Sequence, residues 1–240
     1  MTLEPAPTSM ISAIRPAAVL FDVGDTLLVE QRFDLEAGLA AVVPQSDAIP
    51  ALAKAFRARV RVCHKAHKEL QLASWLQRRL PSLSGARVDE IEDCIWRAVV
   101  TLSPSLGVID VLQRLASDGV PMAAISNAAF SGRVLLAELS RHGLGHFFQF
   151  VLSSADLGVR KPASRIFEVA LERLAVSAGQ AWFVGDTLDE DVAGALNAGL
   201  TVFWLSQTDG VHHLPTGCRV LRSWSEFLAV YDRVAENPRV

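Results

Sequence analysis

Short apolar runs alternate with longer segments of helical periodicity along this chain, and the first apolar run is Ala17 to Phe21. A run of this length, followed by the turn-prone pair Gly24 and Asp25, predicts a buried strand. Asp22 then lies at the carboxyl end of the strand, where open parallel α/β sheets bind ligands. A carboxylate there can be a nucleophile, a magnesium ligand or the cap of the next turn, and this stretch alone leaves these readings open.

Between about residues 32 and 101 the pattern changes to long helical periodicity, which predicts an inserted helical unit. A helix is predicted from Val88 to Val100. The clearest helix before it has one apolar stripe with alternating spacings of four and three. The stripe consists of Leu52, Phe56, Val60, Cys63, His67 and Leu70. Cys63 and His67 lie on this stripe and His64 beside it, so we interpret them as packing residues and not as metal ligands.

The segment from residue 51 to residue 80 is strongly basic, because Glu69 is its single acid. Its cations are Lys54, Arg57, Arg59, Arg61, Lys65, Lys68, Arg78 and Arg79. Such a run most often keeps a helix face in water. The alternative is a patch that attracts an anionic substrate.

Helix and strand alternate after residue 103. Strands are predicted at 122–125, 150–152, 181–184, 201–204 and 219–221, and helices at 107–117, 132–141, 164–174, 191–198 and from 223 onwards. This alternation implies right-handed crossovers in a parallel sheet. The predicted fold class is α/β, a Rossmann-like parallel sheet with helices on both faces and an inserted α-helical domain. We expect a flexible leader at 1–15, a core at 16–31 and 102–240, and a helical cap at 32–101.

Composition narrows the functional classes. The 240 residues are 50% hydrophobic and have a formal net charge of -3, which argues against disorder and against a general basic surface for nucleic acid. The three cysteines, Cys63, Cys94 and Cys218, are widely spaced and fit reduced thiols. Neither a signal peptide nor an apolar run of about 18 residues is recognisable, so we expect no membrane partner and a cytoplasmic location. The oligomeric state is not predicted.

Polar residues follow four of the predicted strands at their carboxyl ends. They are Asp22, Ser126 with Asn127, Lys161, and Asp186 with Asp191. Parallel strands bring these ends to one edge of the sheet. Carboxylates suit magnesium, an ammonium neutralises phosphoryl oxygens, and hydroxyl and backbone donors hold them in line. Each residue also has an ordinary structural explanation: Ser126 and Asn127 as caps, Lys161 as a surface lysine, and Asp191, like Asp189, as an acid at a helix start. Their order along the chain favours a site for phosphoryl transfer.

The segments that contain these residues are FDVGDTL at 21–27, ISNA at 125–128, GVRKPASRIF at 158–167 and VGDTLDEDVAGALNAG at 184–199. In these segments the chain resembles the haloacid dehalogenase superfamily of hydrolases, in the group with a helical cap between the first and second motifs. The resemblance implies a Mg²⁺-dependent phosphatase for a small, anionic phosphorylated metabolite. Asp22 would form an aspartyl-phosphate. Asp22, the Gly24 backbone carbonyl and Asp186 would hold the metal with support from Asp191, and Ser126, Asn127 and Lys161 would bind the phosphoryl group.

The chain departs from the phosphatase pattern at Gly24. Phosphatases of this superfamily usually have an Asp there, two residues after the nucleophile, as the general acid that protonates the leaving group. Asp25 is one residue further on, and alternation in extended backbone predicts that it points away from Asp22 unless the loop turns it back. An enzyme without this acid should prefer acyl or aryl phosphates, whose leaving groups depart without protonation, unless the cap or the substrate provides the proton.

Three other functions remain open. Dehalogenases of the superfamily also lack the second Asp but do not use magnesium, and their fourth motif differs from Gly185-Asp186-Thr187. Carbon-phosphorus hydrolases use a cap lysine as a Schiff base, for which Lys54, Lys65 and Lys68 are candidates. The third possibility is a binding or regulatory protein on an inactive hydrolase scaffold.

Overall fold

A six-stranded parallel sheet forms the centre of the molecule in the computed structural model, which describes residues 15–44, 46–206 and 215–236. The strands are β1 (Ala18–Phe21), β2 (Leu28–Phe33), β3 (Val100–Pro104), β4 (Met122–Ser126), β5 (Val151–Ser153), β6 (Ala181–Gly185), β7 (Thr201–Leu205) and β8 (Cys218–Leu221). The parallel sheet has the order β5-β4-β1-β6-β7-β8. The predicted α/β fold class is confirmed.

The helices are α1 (Leu35–Ala40), α2 (Ile49–Lys65), α3 (Leu72–Gln77), α4 (Val88–Val99), α5 (Val108–Ser117), α6 (Gly132–Arg141), α7 (Ser154–Leu157), α8 (Ser164–Leu174), α9 (Ala193–Asn197) and α10 (Trp224–Glu236). Successive residues of β1 face opposite sides of the sheet, as extended backbone requires. Val19 and Phe21 pack in the core layer that includes Trp224 of α10, and Leu20 packs in the layer that includes Phe167 of α8. Helices therefore cover both faces of the sheet.

Helices α1 to α4, which we call the helical insert, have a hydrophobic core of their own. Leu39, Phe56, Trp75 and Ile95 are buried there, and the core layer is completed by Phe130 and Val134 from the main body of the protein. The insert is joined to the sheet through β2 and β3, which pair as an antiparallel ribbon. The insert therefore lies above the edge of the sheet at which β1 ends.

Three local predictions differ from the structure. The ribbon was not predicted, and the helix expected to end at Val100 ends at Val99 where β3 begins. Helix α2 stops at Lys65 and not at Leu70, because His67 adopts a left-handed φ of 51° that ends the helix. His67 is therefore exposed and is not a member of the apolar stripe. The helix predicted at 191–198 is a π-helical turn at Leu188–Val192 followed by α9.

The predicted leader, residues 1–15, lies outside the described residues apart from Arg15. Across the described ranges, none of the helices combines the length and the apolar character that crossing a membrane requires.

Candidate active site

The carboxyl ends of β1, β4 and β6 meet at a small cavity of about 170 Å³. It is lined by Asp22, Gly24, Asp25, Ser126, Asn127, Lys161, Asp186, Thr187, Glu190 and Asp191. The seven residues that the sequence predicted as site residues are therefore all at this cavity. Side chains from 139 residues apart along the chain meet there because the strands are parallel and end at the same edge.

Lys161 is buried between two carboxylates. Its ammonium group donates to Asp22 Oδ1 and to the backbone carbonyl of Ile125 at 3.2 Å, and Nζ lies 2.6 Å from Asp191 Oδ1. Burial by itself would lower the pKa of Lys161, but the charges of Asp191 and Asp22 raise it above its ordinary value. Lys161 is therefore protonated at neutral pH and provides a fixed positive charge beside Asp22.

Asp191 has both carboxylate oxygens engaged within the protein. Oδ2 accepts from the backbone N–H groups of Asp186 and Thr187 at 3.2 and 3.1 Å, while Oδ1 faces Lys161. This packing requires glycine at 185, since a Cβ there would lie 2.6 Å from Asp191 Cγ. Asp191 therefore fixes the turn after β6 and the lysine at the same time.

Asp22, Asp186 and Asp191 form a group of carboxylates that could hold a metal ion, since their ligand atoms lie within 4.8 Å of one another. Asp186 is only half-buried, and its Oδ1 accepts long hydrogen bonds from the hydroxyls of Thr26 and Thr187 at 3.5 and 3.3 Å. Carboxylate oxygens of this kind are the ligands that magnesium prefers. The chemistry of the donor set therefore fits Mg²⁺.

The carboxyl groups at the cavity outnumber its cations. Five carboxyl groups and one ammonium group line it. Burial raises the pKa of Asp22 to about 7, with Lys161 opposing the shift and Asp191 adding to it. Burial and the neighbouring charge of Asp191 raise the pKa of Asp186 to about 6. A divalent cation would relieve this repulsion and keep both groups ionised.

Asn127 holds the backbone of Lys161 from both sides. Its Nδ2 donates to the Lys161 carbonyl at 3.0 Å, and its Oδ1 accepts from the Lys161 N–H at 2.8 Å. Nδ2 also donates to Glu190 Oε2 at 2.8 Å. Both amide donors of Asn127 are therefore used inside the protein. Ser126, buried at the end of β4, also lines the cavity.

The loop after β1 is turned and not extended. Asp25 has a left-handed φ of 52°, lines the cavity and accepts from the backbone N–H of Glu30 at 3.2 Å. The expectation that alternation would direct it away from the site was based on extended backbone, which this loop does not have. Gly24 lies at the cavity with open space on its side-chain side, since a Cβ built there would meet nothing within 4 Å.

Glu190 and Arg160 are linked to the site and were not predicted from the sequence. Arg160 is buried and pairs with Glu190 at 2.9 Å. Glu190 belongs to the acidic run 189–191, but its neighbour Asp189 is exposed, and nothing in the run itself distinguishes the two. Lys54, Lys65 and Lys68 are exposed and are not among the described residues that line the cavity. Nor do Cys63, His64 and His67 form a metal-binding group within the described ranges.

Comparison with known proteins gives consistent matches. A sequence model of the haloacid dehalogenase-like hydrolase family matches residues 16–199. The glyceraldehyde 3-phosphate phosphatase of Methanopyrus kandleri is 32% identical over 194 residues, which are 76% of this chain and 81% of that protein. The (S)-2-haloacid dehalogenase 2 of Pseudomonas sp. (strain CBS-3) is 29% identical over 109 residues, 45% of this chain and 46% of that protein. Among solved structures, the HAD phosphatase from Thermococcus onnurineus matches with a TM-score of 0.61 and 22% identity, covering 89% of this chain and 96% of that one.

Proposed function

The chain belongs to the haloacid dehalogenase-like hydrolase family, and from this premise we propose that it is a Mg²⁺-dependent phosphatase for a small phosphorylated metabolite. The single observation that supports this most is the meeting of Asp22, Asp186 and Asp191 around Lys161. Three neighbouring carboxylates that can bind a cation together, beside one fixed ammonium group, suit chemistry at a phosphoryl group. The family resemblance supports the role of each residue.

We propose that Asp22, Asp186 and the Gly24 backbone carbonyl hold Mg²⁺. Asp191 would act from nearby, because Oδ2 accepts two backbone hydrogen bonds and Oδ1 is ion-paired with Lys161. When bound, the ion would neutralise the carboxylates and the phosphoryl oxygens that enter the cavity. Such neutralisation is needed because five carboxyl groups line the cavity and would otherwise repel a phosphate dianion.

Asp22 is the proposed nucleophile. One of its carboxylate oxygens would form a bond to phosphorus as the bond to the leaving oxygen breaks, which gives an aspartyl-phosphate. Water would then attack that phosphorus, release inorganic phosphate and restore the Asp22 carboxylate. Lys161 would keep Asp22 ionised and oriented through their hydrogen bond.

Binding of the phosphoryl oxygens would fall to the Ser126 hydroxyl and to Lys161. The family resemblance gives Asn127 a share in this binding. In this chain its side-chain donors are engaged by Lys161 and Glu190, so we assign Asn127 to positioning the Lys161 loop.

The substrate preference follows from Gly24. Without a general acid there, a leaving group that departs unprotonated would react fastest, as in acyl and aryl phosphates. Asp25 lines the cavity but is tied to Glu30, and we do not assign it the acid role.

Two alternatives have less support. Dehalogenation needs no metal, and a site with five carboxyl groups is a poor place for a carboxylate substrate without one. A Schiff-base mechanism needs a lysine at the cavity, and Lys161 is the only lysine among the described lining residues, held protonated by two carboxylates.

The decisive experiment is turnover of acetyl phosphate and para-nitrophenyl phosphate with Mg²⁺, with EDTA, and by Asp22→Asn. We expect hydrolysis that requires Mg²⁺ and is abolished in the variant. Halide release from a 2-haloacid in EDTA would establish dehalogenation instead. Mg²⁺ binding without turnover across a broad panel of phosphate esters would favour the binding protein.

A further inference from the structure

The turn that follows α2 of the helical insert is paired with the loop that leads to Lys161. Glu69 N donates to the Gly158 carbonyl at 3.2 Å, and Arg160 N donates to the His67 carbonyl at 3.1 Å. These two bonds flank an antiparallel bridge between Lys68 and Val159. The backbone of the insert is therefore hydrogen-bonded to the segment immediately before the catalytic lysine.

The side chain of Glu69 reinforces this contact. It is only 3% exposed, although it comes from the most basic segment of the chain. Oε2 accepts from Ser154 Oγ at 3.0 Å and lies 3.7 Å from Arg160 Nε. Oε1 accepts from the backbone N–H of Leu70 at 3.0 Å and lies 3.2 Å from His64 Nε2. Burying a carboxylate is costly unless it is paired, and of its two basic neighbours, His64 and Arg160, it is Arg160 that connects Glu69 to the cavity wall.

Arg160 is buried between two carboxylates, Glu69 from the insert and Glu190 from the cavity wall. Its Nη2 donates to both oxygens of Glu190, at 2.9 and 3.2 Å. Glu190 accepts a hydrogen bond from Asn127, and Asn127 forms two hydrogen bonds with the Lys161 backbone. Because Arg160 and Lys161 are adjacent in the chain, these contacts close a ring around the backbone of the lysine.

We propose that Glu69 is a positioning residue of the helical insert, which sets the place of Lys161 through Arg160, Glu190 and Asn127. This inference rests on the proposed phosphatase function. Without the charge of Glu69, Arg160 keeps a single carboxylate partner and can swing toward it. Glu190 then shifts, and Asn127 loses its fixed orientation against Lys161. Glu69 itself touches neither Asp22 nor the cavity, so its effect is on geometry.

The helical insert offers a matched control in Glu92. This carboxylate is 2% exposed and also spans the boundary of the insert, where it accepts from the Ser131 backbone N–H at 2.8 Å and from Ser131 Oγ at 2.6 Å. Its further hydrogen-bond partner is Gln71, at 3.2 Å. Neither Ser131 nor Gln71 lines the cavity. Glu92→Gln therefore weakens the attachment of the insert without entering the ring around Lys161.

The test compares Glu69→Gln, Glu92→Gln and Arg160→Gln with the wild-type chain on acetyl phosphate and Mg²⁺. We expect Glu69→Gln to lower kcat on the order of tenfold with little change in KM, because misplaced catalytic groups slow the chemical step. Glu92→Gln should keep kcat within about twofold. The double variant Glu69→Gln with Arg160→Gln should be no slower than Arg160→Gln alone, since both act through one path. Thermal unfolding midpoints show whether each variant is folded.

Equal losses of kcat in Glu69→Gln and Glu92→Gln, or wild-type kcat in a folded Glu69→Gln, would overturn the inference and leave the proposed function standing. Binding of inorganic phosphate with Mg²⁺, measured by calorimetry, gives a readout that needs no turnover. If the wild type binds phosphate but hydrolyses nothing, the proposed function fails. Glu69 keeps its positioning role in that case only if Glu69→Gln weakens phosphate binding and Glu92→Gln does not. Equal binding in the two variants rejects it.

Discussion

Lys161 and Asp191 form a buried ion pair with 2.6 Å between Nζ and Oδ1, and each side chain is 2% exposed. The same ammonium bonds Asp22, so one lysine connects the turn after β6 to the proposed nucleophile. Neither charge has access to water to compensate for the loss of its partner. Removing one member of such a pair costs far more than removing an exposed one.

Replacing Asp191 by Asn should lower the free energy of unfolding by about 3 kcal/mol, since it leaves a buried cation with one carboxylate fewer. Urea unfolding without Mg²⁺ measures this directly. The control is Arg165→Ala, which removes an exposed pair with Glu172 at 2.9 Å and should leave the urea midpoint unchanged. Equal midpoints for the two variants would mean that the buried pair does not stabilise the fold.

Gly185 is a second point at which the turn after β6 depends on close packing. A Cβ at this position would lie 2.6 Å from Asp191 Cγ, which is closer than non-bonded carbon atoms can approach. We expect Gly185→Ala to cost about 1–3 kcal/mol of stability through overpacking, and also to weaken Mg²⁺ binding because Asp191 must move. Gly179→Ala, where a Cβ would meet nothing within 4 Å, is the control and should change neither property. A stable Gly185→Ala with normal Mg²⁺ affinity would contradict this packing argument.

Much of this site is predictable from the sequence, because each buried strand is a short apolar run whose end is marked by a polar residue. Asp22 and Asp186 each follow a short apolar run, and Ser126 ends another, so their convergence follows from the parallel topology alone. The alternation of apolar runs and helical periodicity likewise predicts the sheet, because buried parallel strands are apolar on both faces.

The contacts between the helical insert and the sheet are not predictable in this way. Glu69 is the single acid of a basic segment, and its sequence context is that of a solvated face. Its burial depends on Arg160 and Ser154, which are more than 80 residues away along the chain. The ribbon of β2 and β3 escapes prediction for a related reason, since its strands are short, partly exposed and lack a continuous apolar pattern.

Mg²⁺ affinity should depend on pH through the two raised carboxyl pKa values. Without metal the pKa of Asp22 is about 7 and that of Asp186 is about 6, so both groups gain protons as the pH falls through this range. Mg²⁺ binds the ionised forms, so the dissociation constant should rise from pH 8 to pH 5, by about tenfold per pH unit for each proton displaced. Calorimetry in two buffers of different ionisation enthalpy gives the number of protons released.

Asp22→Asn is the matched control for this pH dependence. The variant lacks the group with a pKa of about 7, so the change in Mg²⁺ affinity should begin only near the pKa of Asp186, about 6. A dissociation constant that stays level between pH 5 and pH 8 in the wild type would show that neither carboxyl group exchanges a proton for the metal.

Gly24 lies at the cavity, and an added Cβ there would have nothing within 4 Å. A Cβ at this position therefore displaces no neighbour, and Gly24→Asp would place a carboxyl group two residues after Asp22. A general acid typically contributes a hundredfold or more, and we expect at least about a tenfold rise in kcat on an alkyl phosphate, with a smaller rise on acetyl phosphate. Gly24→Asn has the same size but no acid and should give no rise. Equal rates for Gly24→Asp and Gly24→Asn would show that the missing acid does not limit turnover, and that the proton reaches the leaving group by another route.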